Sequence, residues 1–269
     1  MGRALSLLAL IGPSLRLDDS SAFPPFETPC YRNATRLAGS PDPSPCGLKS
    51  LATLPSRVTV NRAHRNLTRR PQSPAEYAED ISRRYATETP PWDSGRPSSE
   101  LIRVIEAGRF PGATVLEMGC GTGTNAVELA RRGYRVTAVD LVASAVEKGR
   151  AKAIRAGVPV DFRVGDLTQV ELGGPYDCLF DLGLYHGIRD RDLAGFCEAL
   201  QRVSRRGTLW LSLAGNAKEI TPEGPPVVTE AEFRDELEPL FRIVEVHEFR
   251  FDLRPDFRPL AWSLLMQRR

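Results

Sequence analysis

Metal ligands, long apolar runs and a dominant charge are all scarce in this chain, and each scarcity removes a class of function. The 269 residues contain three histidines and five cysteines, the latter at positions 30, 46, 120, 178 and 197, with no CxxC pair and no histidine at zinc-ligand spacing. No metal site is legible in that pattern. No apolar run reaches the roughly 20 residues that a bilayer core demands, so the expectation is a soluble, cytoplasmic protein without a membrane partner. Net charge is close to balance, at +2 from 36 basic and 34 acidic residues. That balance hides an asymmetry, because residues 1–70 hold 10 Lys or Arg against 4 Asp or Glu and leave 26 against 30 for the rest. A mildly acidic remainder argues against a nucleic-acid substrate, which favours a basic face on the domain that does the chemistry. Cys120 and Cys178, the latter in an apolar strand pattern, read as reduced, packed thiols.

The chain divides by composition near residue 72. Residues 1–72 are rich in Pro, Ser and Arg, lack apolar periodicity, and read as a disordered basic arm. Its apolar Ala4–Ile11 stretch has little basic flank and no convincing cleavage site, so it is a poor secretory signal. From Ser73, which stands as a cap ahead of Pro74, residues 73–269 read as one folded domain. Helices are expected to about Tyr85, over 98–107, 125–132 and 143–156, from about Asp190 to Ser204, and over 230–240. Strands are expected at about 115–118, 135–141, 160–166, 176–183, 208–214, 241–251 and 261–267. The alternation implies a doubly wound α/β fold, with a mostly parallel seven-stranded sheet closed by a C-terminal antiparallel hairpin.

The most informative stretch is Val115-Leu116-Glu117-Met118-Gly119-Cys120-Gly121-Thr122-Gly123-Thr124-Asn125. It joins a buried-strand pattern to a glycine turn and a helix start. A dinucleotide fingerprint needs its third glycine at position 124, where this chain has Thr124. Glu117, beside such a turn, would repel a pyrophosphate and attract a cation. The next strand ends on Asp140, followed by Leu141, and an acid there accepts the hydroxyls of a ribose or caps the following helix. A third strand ends on Asp166, followed by Leu167.

These motifs resemble the class I S-adenosylmethionine-dependent methyltransferases. The resemblance implies that Glu117, Gly119, Cys120, Gly121 and Thr122 hold the methionine end of S-adenosyl-L-methionine, and that Asp140 with Leu141 takes the ribose. Asp166 and Leu167 would then clamp adenine. Pro91-Trp92-Asp93-Ser94-Gly95 resembles the lid element of thiol, halide and thiopurine methyltransferases, which puts Trp92 beside the sulfonium with Tyr85 closing the pocket. The fourth strand's end, Asp181-Leu182-Gly183-Leu184-Tyr185-His186, lacks the Pro-Pro-aromatic box of nucleic-acid amino methyltransferases. Asp181 is expected to face the cofactor, Tyr185 to shape the acceptor pocket and His186 to take a proton. The implied reaction is methylation of a small molecule by a monomer, with a thiol or other soft nucleophile ranked first. O- or N-methylation of a natural product, or cofactor binding without turnover, are the alternatives.

Overall fold

The structure is a computed structural model that describes residues 74–269 apart from 88, 222, 223 and 255. The arm at residues 1–72 and the capping role expected of Ser73 lie outside the described residues. Helices α1 (Pro74–Thr87) and α2 (Ser99–Glu106) precede the sheet. There follow β1 (Thr114–Met118), α3 (Thr124–Arg131), β2 (Arg135–Asp140), α4 (Ala143–Ala156), β3 (Asp161–Val164) and β4 (Cys178–Leu182). The chain continues through α5 (Leu184–Val203), β5 (Leu209–Asn216), β6 (Val227–Val228), α6 (Glu230–Leu237), β7 (Phe241–Arg250) and β8 (Leu260–Arg268).

Strand order is β3-β2-β1-β4-β5-β8-β7, with β6 paired off β5. The neighbours from β3 through β5 are parallel, and β8 runs antiparallel to both β5 and β7. The sheet therefore has eight strands, the seven expected and a two-residue one at Val227–Val228 too short to show alternation. Its order reverses between β1 and β4, which places a crevice beyond their carboxyl ends.

Both faces are covered, so the central strands read as continuous apolar runs. Leu116, Met118, Leu179, Tyr185 and Trp210 fill one layer, whereas Val115, Ala126, Val146, Phe162 and Phe180 fill the other. Register sorts the strand-end acids between these layers. Glu117 lies opposite Phe180 and Met118 opposite Asp181, and because side chains alternate along a strand, Glu117 and Asp181 point to opposite faces. Glu117 also pairs with Ala138, two residues before Asp140, so Glu117 and Asp140 share a face.

One element departs from expectation in a way that matters for the site. Helix α5 starts at Leu184, not near Asp190, and Asp192 (φ −153°, ψ 67°) interrupts it. The helix expected from Asp190 is the portion beyond that break. Gly183, with φ 83°, reverses the chain directly after β4, and Asp181 Oδ2 accepts the N–H groups of Leu184 and Tyr185 at 3.1 and 3.0 Å. An acid capping its own following helix removes the loop in which Tyr185 and His186 were expected.

Candidate active site

The turn after β1 takes a shape that requires glycine. Gly119, Gly121 and Gly123 have φ of 68°, 53° and 68°, a left-handed conformation costly for any residue with a Cβ. A Cβ on Gly121 would stand 2.6 Å from the Tyr85 hydroxyl, and one on Gly123 would stand 2.5 Å from the Phe162 ring. The turn is thus packed between α1 and β3, and it delivers the chain into the N-terminus of α3.

Beside the turn lies a cavity lined by Tyr85, Trp92, Glu117, Gly119–Thr122, Asn125 and Leu182, with two further walls from 93–98 and 251–253. Glu117 is its deepest charge, 2% exposed. The Asn125 side chain and the Ala126 N–H bond its carboxyl, while Oε2 has no partner. Burial, reinforced by the nearby Asp140 charge, pushes its pKa up to about 8. A buried carboxyl with one oxygen unmet is poised for a cation, since an arriving positive charge supplies the missing interaction and favours the ionised form.

Asp140 braces the turn. Its Oδ2 accepts the Gly121 N–H at 2.7 Å and its Oδ1 the Val142 N–H at 2.9 Å. Asp166 closes its own loop, Oδ1 accepting the Thr168 N–H and hydroxyl at 2.9 and 2.8 Å. Leu167 is buried and Leu141 is 37% exposed. The structure therefore gathers Trp92, Glu117, Gly119, Cys120, Gly121 and Thr122 around the cavity, with Asp140 bonded to its wall, while Leu141, Asp166 and Leu167 stand outside it. Trp92 Nε1 donates to the Tyr85 hydroxyl at 3.0 Å, the two rings meeting edge to face.

The expected reacting end is different from what the sequence suggested. Asp181 is fully buried on the opposite face, and its Oδ1 accepts Trp210 Nε1 at 2.9 Å in addition to the two helix N–H groups. It is a structural cap with its pKa pushed up to about 6 by burial, and no cofactor-facing acid. Tyr185 is also fully buried, donating its hydroxyl to Glu236 Oε2 at 2.7 Å and stacking on Phe196, so it shapes no acceptor pocket. His186 Nδ1 accepts the Gly215 N–H at 2.7 Å, and burial drives its pKa down to about 3. The neutral ring then carries its proton on Nε2 with Nδ1 engaged by Gly215, an arrangement that does not favour its expected role as proton acceptor. The placements of Tyr185 and His186 follow from α5 beginning six residues earlier than its pattern implied, whereas that of Asp181 follows from its register opposite Met118.

Residues 115–207 match the sequence model of a methyltransferase domain family. The 2-heptyl-1-hydroxyquinolin-4(1H)-one methyltransferase of Mycobacteroides abscessus is 29% identical over 150 residues, 54% of this chain and 66% of that one. The ubiquinone biosynthesis O-methyltransferase of Xanthomonas campestris is 34% identical over 131 residues, 45% of this chain and 54% of that one. A solved structure described by the conversion of a disulfide bond into a thioacetal group during echinomycin biosynthesis is 26% identical. It superposes with a TM-score of 0.62 over 71% of this chain and 91% of that one. Residues 115–207 carry a methyltransferase domain, and these likenesses support a class I S-adenosylmethionine-dependent methyltransferase. The chain spans between half and two thirds of the length of the two curated relatives.

For a methyltransferase of this class, whose cofactor is S-adenosyl-L-methionine, the unmet Glu117 oxygen and the Cβ-intolerant turn fit an ammonium-bearing ligand. Sequence reasoning quoted the segment after Trp92 without giving its polar residues a role. Thr122 Oγ1 donates to Asp93 Oδ1 at 2.7 Å and accepts from Lys152 Nζ at 3.0 Å, which ties that segment to the glycine turn and to α4. Lys152 also donates to Thr124 Oγ1 at 2.6 Å. Phe251, Asp252 and Leu253, just beyond β7, form the far wall. Position in the terminal hairpin's loop was the only signal for them.

Proposed function

We propose that this methyltransferase transfers a methyl group to a small molecule, with a thiol or other soft nucleophile as the first-ranked acceptor. In the proposed assignment Glu117 pairs with the cofactor's ammonium and the N-terminus of α3 faces its carboxylate. Asp140 takes the ribose through its remaining lone pairs, Leu141, Asp166 and Leu167 bound the adenine, and Trp92 walls the sulfonium. When bound, the cofactor supplies a methyl group on a sulfonium. The acceptor's lone pair would form the bond to that carbon as the carbon–sulfur bond broke, its electrons staying on sulfur.

The observation supporting a soft acceptor is that, once Glu117 is given to the cofactor's ammonium, no uncommitted base faces the cavity. Among the described residues lining it there is no histidine or lysine, the Tyr85 hydroxyl is bonded to Trp92 with its pKa raised by burial, and Asp93 is bonded to Thr122. Alignment in a shielded pocket suffices for a nucleophile that sheds its own proton, whereas a neutral alcohol or ammonium needs a proton acceptor. The names of the hydroxyquinolinone and ubiquinone-pathway relatives support a second reading, O-methylation of an acidic hydroxyl.

The test is incubation with methyl-labelled S-adenosylmethionine and a panel of thiols, halides, hydroxylated aromatics and amines. Methylated thiol is the expected product, product from hydroxylated aromatics alone selects the second reading, and product from amines alone overturns both. We also propose residues 73–269 as the catalytic unit, in which case limited proteolysis that removes residues 1–72 leaves turnover intact.

A further inference from the structure

The cavity's charges do not cancel, and the remainder points to the acceptor. Four ionisable side chains of fixed charge sign line it: Asp93, Glu117, Asp252 and Arg96. Asp93 accepts the Thr122 hydroxyl and its charge is met by Lys152, while Asp252 is taken by Ser99 and, at 2.9 Å, by Arg258. Glu117 retains one unmet oxygen, which the proposed function assigns to the cofactor's ammonium. Arg96 is the sole cationic side chain among the described lining residues, it is exposed, and no carboxylate of the described residues pairs with it.

Its backbone is held firmly. Ser94 Oγ donates to the Arg96 carbonyl at 3.1 Å and accepts its N–H at 3.2 Å. Asp93 is tied to Thr122 on one side, and on the other the Ser98 N–H donates to Asn125 Oδ1 at 2.8 Å. A pinned backbone with an unpaired guanidinium tethers a mobile positive charge beside the cavity.

We propose that Arg96 is the specificity determinant for the methyl acceptor, selecting molecules that enter as anions, thiolates first and ionised acidic hydroxyls second. This rests on the reading that the acceptor brings its own nucleophile. A guanidinium beside the acceptor favours its ionised form, which replaces the missing base, and its planar donors suit an anion. Methylation then cancels the acceptor's charge, so Arg96 attracts substrate and loses its hold on product.

Binding of 4-nitrothiophenolate to protein saturated with S-adenosylhomocysteine, followed by absorbance, tests this without requiring turnover. Arg96→Gln should bind the thiolate about tenfold more weakly and with less salt dependence, Arg96→Lys should recover part of the loss, and S-adenosylhomocysteine affinity should stay unchanged. Equal thiolate binding by wild type and Arg96→Gln overturns the proposal. So does a loss confined to S-adenosylhomocysteine affinity, which would assign Arg96 to the cofactor's carboxylate. A tenfold loss of thiolate binding in a protein that methylates no thiol keeps the anion site and removes the transfer reading instead.

Discussion

Glu117 and Asp181 are near-twins by position, both buried carboxyls at the carboxyl ends of adjacent parallel strands, yet they do opposite work. Glu117 keeps an oxygen without a partner in a cavity wall, whereas Asp181 spends its two oxygens on two helix N–H groups and an indole. One residue of register separates them. Met118, not Glu117, lies opposite Asp181, so the sheet sends one acid toward the glycine turn and the other into the layer beneath α5. A strand-end acid becomes a ligand residue only when its face and its unspent valences agree.

The contrast can be broken first at Asp181. Asp181→Ala leaves three buried donors unmet and should lower unfolding free energy by about 3 kcal/mol while cofactor affinity of the folded protein stays unchanged. Thermal melts with and without S-adenosylhomocysteine read both, and a selective loss of affinity would place Asp181 in the binding site after all. Glu117→Gln should show the reverse pattern, losing about 2–3 kcal/mol of cofactor binding with little loss of stability. Asp140→Ala should weaken cofactor binding by about 2 kcal/mol by calorimetry, since the turn loses its Gly121 brace together with the acceptor proposed for the ribose.

A pH series sharpens the same comparison. With its pKa near 8, Glu117 is protonated at pH 6 and must release that proton to pair with an ammonium. Affinity for S-adenosylhomocysteine should therefore rise by close to tenfold per pH unit from pH 6 toward 8 and then level off. A flat profile over that window would mean that the carboxyl is already ionised or does not meet the ligand. The smallest expected effect is at His186. Since Nδ1 is spent on Gly215, His186→Gln should leave the pH dependence of turnover unmoved, and loss of an ionisation from that profile would restore the histidine as a base.

Much of the fold was legible because its signals are local. Alternating strands and helices, the glycine turn and the closing hairpin each carry their pattern within about ten to twenty residues. Glu117 was legible for the same reason, lying two residues before a turn whose geometry glycine dictates. What stayed hidden depends on partners far along the chain. The early start of α5 requires Asp181 to cap it and Gly183 to reverse the backbone, and the run Gly183-Leu184-Tyr185-His186-Gly187 carries no apolar period that announces a helix. The saturation of His186 needs Gly215, and that of Tyr185 needs Glu236. Arg96 was hidden for the opposite reason, since its importance lies in a missing partner and a sequence does not display unpaired charges.

The most direct test of the account compares two ligands on two proteins at pH 7: S-adenosylhomocysteine and 5′-methylthioadenosine, which lacks the amino-acid end, each titrated calorimetrically into wild type and Glu117→Gln. Wild type should prefer S-adenosylhomocysteine by about a hundredfold and release close to one proton as it binds, and Glu117→Gln should lose most of the preference and all of the proton release. An undiminished preference in Glu117→Gln would contradict the claim that this carboxyl anchors the cofactor.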